Sequence, residues 1–151
     1  MAVVLAFTTT LHAADQLADK TPAYFIERYG APVESGPKNE CSLYLAEALP
    51  RKVNVSGQFL VLKFQAEALT VEVVYLLPGH TLAAVTYQRP RMWTPAQTQA
   101  IVMTYSEDWS RVRNTGRSLA YRTAEETLSL TGINTLAIQT QAGSLAAQRP
   151  N

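Results

Sequence analysis

The stretch QFLVLKFQAEALTVEVVYLLPGHTLAAVTYQ, Gln58 to Gln88, decides the fold. In its first part Leu60, Leu62 and Phe64 alternate with Val61, Lys63 and Gln65, the period-two pattern of a strand with one buried face. Thr70 to Leu77 is dense in β-branched residues (Val71, Val73, Val74), which suit a pleated surface. Leu77-Pro78-Gly79-His80 reads as a turn, and Thr81 to Gln88, with Val85 and Tyr87, as the returning strand. Three consecutive strands at such short spacing imply an antiparallel meander.

Upstream, TPAYFIERYGAP (Thr21 to Pro32) reads as a short helix marked at both ends. The Thr21 hydroxyl can cap free N–H groups of the first turn, and Pro22 occupies the first helical position, where no donor is needed. Phe25, Ile26 and Tyr29 share one face, which is expected to dock on the sheet. Gly30 permits the helix to end with positive φ, and Pro32 prevents its resumption. Glu34 to Glu40 reads as a polar loop, and Pro50 to Gly57 as polar and turn-like. Leu43-Tyr44-Leu45 suits either a strand or a short helix.

Downstream, Trp93-Thr94-Pro95-Ala96-Gln97 carries a complete capping box, Thr94 with Gln97 three residues on, and opens a second helix whose buried face is Ile101, Val102 and Tyr105. Asn114 to Gly116 reads as a turn. Ser118 to Arg122, Thr127 to Thr131 and Thr135 to Gln141 read as further strands, with Leu128, Leu130, Leu136 and Ile138 alternating with polar residues. The two Thr-Pro-Ala helix starts are too short a match to establish an internal repeat. The expected fold is α+β: an antiparallel sheet of about five or six strands, a meander plus a closing hairpin, with two short helices on one face.

A chain of 151 residues suits one domain, and 47% hydrophobic against 17% charged residues excludes wholesale disorder. Net charge is +1, so no global field favours nucleic acid or an anionic membrane. The apolar run Ala2 to Phe7, followed by Leu11-His12-Ala13-Ala14, reads as the core and cleavage region of a secretory signal whose basic start lies upstream; the other reading is a buried N-terminal strand. The expected division is residues 1–13 as a clipped signal, 14–143 as one domain and 144–151 as a flexible tail. The single cysteine, Cys41, forms no internal disulfide, and its context Lys38-Asn39-Glu40 is not one for lipid attachment.

ERYGAP (Glu27 to Pro32), followed by a meander, a capped helix ending near a tryptophan and a closing hairpin, resembles a group of small exported bacterial proteins of no assigned function. The likeness covers most of the chain after Ala14. More distantly, a short helix closed by Gly-x-Pro before a meander is similar to the BamE/SmpA group of outer-membrane assembly factors. These resemblances imply a periplasmic or secreted location and a role in protein contacts.

Residues with chemistry are few. His12 falls within the signal segment, and His80 sits in a turn without acidic or cysteine neighbours at ligand spacing. No cluster suited to zinc occurs, so no metal is expected. No nucleophile elbow or phosphate loop occurs either, so no cofactor is expected. Glu107-Asp108 and Glu125-Glu126 are adjacent acidic pairs of the kind usually solvated in loops. Arg89, Arg91, Arg111, Arg113 and Arg117, with Trp93 and Trp109 among them, form a candidate partner-binding region, since arginine and tryptophan favour interface hot spots. Arg111 and Arg113 would face one side if Val112 packs inward. The leading expectation is a non-enzymatic envelope domain that binds a protein or surface component, without nucleic acid or a membrane span. The alternative is a small hydrolase or ligand-binding pocket protein whose residues meet only in the fold; a cleft holding Cys41, His80 or two carboxylates would favour it.

Overall fold

The structure of the protein, a computed structural model, describes residues 20–45, 51–94, 96–98, 100, 110–114, 119–122, 128–131 and 134–148. The elements are helix α1 (Pro22–Tyr29), strands β1 (Glu34–Leu45), β2 (Arg51–Ala66), β3 (Leu69–Leu76), β4 (Thr81–Gln88), β5 (Ser110–Asn114), β6 (Leu119–Arg122), β7 (Leu128–Thr131) and β8 (Thr135–Gln139), and helix α2 (Gln141–Ala147). All strand pairs are antiparallel, in one eight-stranded sheet ordered β1-β2-β3-β4-β8-β7-β6-β5. The antiparallel α+β architecture agrees with the sequence reading, and the sheet is wider than expected. Two four-stranded meanders meet at their last strands, where Val85 faces Ile138 and Tyr87 faces Leu136. A Thr-Pro-Ala helix start precedes each meander, so the short sequence match coincides with a repeated order of elements.

The extra width comes from β1 and β5, and β2 is longer than expected because it takes in Arg51–Gly57. Glu34 to Glu40 and Pro50 to Gly57 looked like loops because they are polar, yet Arg51–Gly57 and Glu34–Glu40 are strand. They form an outer hairpin, where exposure on both faces removes the alternation that marks a strand. Leu43-Tyr44-Leu45 is strand as well. Pro37 lies in β1, which has a neighbour on one side only, the place where a sheet tolerates a missing N–H. The register shifts between Lys38 and Glu40, where two residues of β2 oppose one of β1. Such a bulge bends a strand pair.

Each face of the sheet has its own core. On the first, Phe64, Val71, Val73, Tyr75, Tyr87 and Ile138 gather beneath Phe25 and Trp93. A helix of eight residues is marginal alone, so α1 depends on this docking. Phe25 is fully buried and meets Tyr24 edge-on at 5.0 Å, while Tyr29 leans on Phe64 at 5.8 Å. Ile26, expected on the buried face, is 42% exposed; Tyr24 takes its place beside Phe25. Thr21 makes no side-chain cap, and Pro22 starts the helix without one. Gly30 ends it with φ of 89°, as the sequence implied. The second helix start lies outside the described residues at positions 95, 99 and 101–109, but its capping box is present: Gln97 N donates to Thr94 Oγ1 at 3.2 Å, and Thr94 N donates to Gln97 Oε1 at 3.1 Å.

On the second face Leu43, Val55, Phe59, Val74 and Ala84 pack against Ala146 and Ala147 of α2. The tail assigned to 144–151 as flexible is therefore a packed helix as far as Ala147. Its composition concealed it: the buried positions are Gly143, Ser144, Ala146 and Ala147, small residues that allow close approach rather than an apolar stripe. Thr140 seats it. The Thr140 hydroxyl accepts from Gly143 N at 3.1 Å and donates to Leu82 O at 2.6 Å, while Thr140 N donates to Ala83 O at 2.9 Å. The segment 1–13 lies outside the described residues.

A side chain at Gly143 would drive its Cβ into the Ala83 carbonyl oxygen, so helix or strand backbone would have to shift to admit it. Gly143→Ala is expected to cost about 1–3 kcal/mol in urea unfolding. Gly36→Ala, at a site with nothing within 4 Å, serves as control and should stay within about 0.5 kcal/mol.

Candidate functional site

Two concave regions flank the sheet. The first is built where β4 ends. Arg89 N donates to Asn134 O at 3.1 Å, and Trp93 Nε1 donates to the same oxygen at 3.1 Å, so both ends of Arg89–Trp93 are tied to the start of β8. Trp93 is buried in the first core, and the Arg89 guanidinium lies 5.3 Å from the centre of its ring. That stacking holds a cation over an aromatic face. The segment walls a groove of about 570 Å³ whose other side is Ala66, Glu67, Ala68 and Leu69, around the β2–β3 turn. Arg91 and Met92 are exposed beside it. Among the described residues neither Arg89 nor Arg91 forms an ion pair, and Glu67 is the sole acidic residue of the lining.

The structure thus unites Arg89, Arg91 and Trp93 of the sequence candidates. Arg111 and Arg113 have their backbones on β5, at the opposite edge of the sheet from β1, and the register shifts between them. Four strand spacings separate β4 from β5, about 19 Å at ~4.8 Å each. Arg117 and Trp109 lie outside the described residues, as do Glu107, Asp108, Glu125 and Glu126.

The second region lies on the face that carries α2. Beyond its bulge β1 turns over this face, and Gln139 of β8 fastens it there. Tyr44 N donates to Gln139 Oε1 at 2.9 Å, and Gln139 Nε2 donates to Tyr44 O at 2.8 Å. Strand β1 becomes a roof. The floor is set by register: Glu34, Lys63, Glu72, Thr86 and Ala137 are successive partners across five strands. Between roof and floor runs a cleft of about 370 Å³, with Glu40, Cys41, Ser42 and Tyr44 above and Val61, Glu72, Val74, Thr86 and Ala137 below. Lys38 and Lys52 line it too. Lys63 of the same row is engaged by Glu34 at 3.1 Å, and that bond raises its pKa.

Cys41 is half-buried in this cleft, where burial first and the Glu72 carboxylate second push its thiol up to about 11. A nucleophilic cysteine needs the opposite shift. His80 is exposed in the Leu77–His80 turn with φ of 54°, and it does not line the cleft. The cleft thus holds Cys41 and two carboxylates, Glu40 and Glu72, the lining that the sequence reading tied to a pocket protein, but not His80. Among the described residues no group of three or more His, Cys, Asp or Glu side chains suits a metal ion. Sequence reasoning missed Glu72, Gln139, Lys38 and Lys52. Glu72 and Gln139 carried the one available signal, polar residues inside otherwise apolar strands, but they meet β1 only through its bend.

No protein-family model matches the chain, and no curated protein or solved structure matches it either.

At pH 8 the Cys41 thiolate is expected to be about a hundred-fold scarcer than for a free thiol, so iodoacetamide should modify it far more slowly in the native protein than in urea. The same shift sets a pH dependence. The unfolded thiol ionises from about pH 9, whereas the folded one stays neutral to about 11, so stability is lost as pH rises between those values. Burial raises Tyr44, and Glu34 raises Lys63; both act in the same direction. The urea midpoint should fall on the alkaline side, less steeply in Cys41→Ser.

Proposed function

We propose that this protein is an exported, non-catalytic binding domain of a bacterial envelope, and that the groove at Arg89–Trp93 receives an acidic, apolar segment of a protein partner. The observation that carries this reading is the pair of arginines without carboxylate partners among the described residues, set beside an apolar wall. A buried tryptophan anchored by its ring N–H gives that wall rigidity, and the stacked Arg89 is held in place before any partner arrives. Preorganised aromatic and arginine side chains at the centre of a contact dominate binding energy. The exposed Met92 side chain adds adaptable apolar surface at the rim. The raised thiol of Cys41, in a cleft that His80 does not line, supports a non-catalytic role. Export rests on the apolar run Ala2 to Phe7 and the small residues at Ala13 and Ala14.

The test uses two fluorescein-labelled peptides, Glu-Asp-Leu-Phe-Asp-Glu and Lys-Lys-Leu-Phe-Lys-Lys, followed by anisotropy. The acidic peptide should bind and the basic one should not. Arg89→Glu with Arg91→Glu should weaken the acidic peptide at least about tenfold without loss of fold, and added salt should weaken it in the wild type. Equal binding of both peptides, or unchanged binding by the double variant, would remove the reading.

A further inference from the structure

The geometry points to a second, separate site: the cleft beneath β1 binds a small zwitterion of about dipeptide size, its ammonium at Glu72 and its carboxylate at Lys38 and Lys52. Glu72 lies on β3, the third strand counted from the β1 edge, and is partly buried. Its strand neighbours are Lys63 and Thr86. Lys63 is bonded to Glu34 and feels Glu72 only as a weaker neighbouring charge, and among the described residues the Glu72 carboxylate has no hydrogen bond or ion pair. Lys38 and Lys52 line the same cleft and are likewise without ion pairs among the described residues.

Opposite charges that share one cavity without reaching each other leave a gap that a ligand carrying both signs can bridge. Each end then gains a charge-assisted hydrogen bond, the ammonium at the partly buried Glu72 and the carboxylate at the exposed mouth formed by Lys38 and Lys52. Glu40, the other carboxylate of the cleft, is exposed and accepts from Asn54 Nδ2 at 2.5 Å, whereas Glu72 is partly buried on the floor and accepts from no donor among the described residues. The middle of the ligand would meet Ser42, Thr86, Gln88 and Thr135, which offer hydroxyl and amide groups suited to a peptide bond. A neighbouring hollow of about 450 Å³ shares Lys38, Val61 and Glu72 with the cleft. The roof is fixed before binding, because Gln139 holds both polar groups of the Tyr44 backbone.

The experiment is calorimetric titration of the whole protein with alanyl-alanine, its N-acetyl form and its C-terminal amide. Alanyl-alanine should bind, and loss of either terminal charge should weaken it at least about tenfold. Glu72→Gln, which keeps the shape and removes the charge, should do the same, as should Lys38→Gln with Lys52→Gln. A measurement on the unmodified protein guards against misfolded variants: alanyl-alanine should slow the reaction of Cys41 with methyl methanethiosulfonate at pH 9, with half-effect at the calorimetric Kd. The proposal is overturned if alanyl-alanine shows no heat and no protection, if the N-acetyl form binds as well, or if a folded Glu72→Gln protein binds unchanged.

Discussion

One buried amide closes this structure on itself. Gln139, at the end of β8, is fully buried and takes the place of a neighbouring strand for Tyr44, bonding both the N–H and the C=O of its backbone. It also donates to Ser144 Oγ at 3.0 Å, so β1, β8 and α2 converge on a single side chain. Backbone groups left half-buried and unpaired each cost about 1–3 kcal/mol, so the bent end of β1 is held by satisfied polarity as much as by the packing of Leu43 on Ala84 and Ala147. That fastening and the packing of Leu43 and Val55 beside α2 together hold the roof over the cleft.

The two faces of the sheet follow different rules. The first is filled by large side chains, Tyr75, Tyr87, Phe64 and Phe25, all fully buried. The second is divided by register. The row through Val61, Val74 and Ala84 is apolar and covered, while the next row, through Lys63, Glu72 and Thr86, is polar. The cleft lies where those rows meet. The doubled order of a helix start and four strands places β4 and β8 side by side at the centre, and both regions of interest use that seam. Arg89–Trp93 is tied to Asn134 before β8, and Gln139 ends the same strand.

The inner strands were legible because each buries at least one face and so repeats every second residue, as Leu60, Leu62 and Phe64 do. The hairpin of β1 and β2 was not, since both of its faces carry exposed residues over Glu34–Glu40 and the pattern vanishes. Helix α2 escaped notice for the opposite reason. Its buried residues are so small that composition marks them as linker, although Gly143 sits so close to the Ala83 backbone that no side chain fits there. Of the candidate residues, Arg89, Arg91 and Trp93 could be singled out because they are close in sequence. Glu72, Lys38 and Lys52 could not be grouped, because they come from three strands and their meeting depends on a bend at a bulge that leaves no local signature.

The bend has a further meaning for how molecules of this protein coexist. A sheet that ends in an exposed strand invites the next copy to continue it, and the growth of such stacks is the usual route to fibres. Here the outer strand carries Pro37, slips register between Lys38 and Glu40, and then leaves the plane of the sheet to fold over its own second face. An arriving strand would meet a missing donor, then a charged kink, then nothing to follow. The arch that walls the cleft is thus also a terminator of polymerisation, and a chain that lost it would expose both a ladder of free backbone groups and the alanine-lined face beneath.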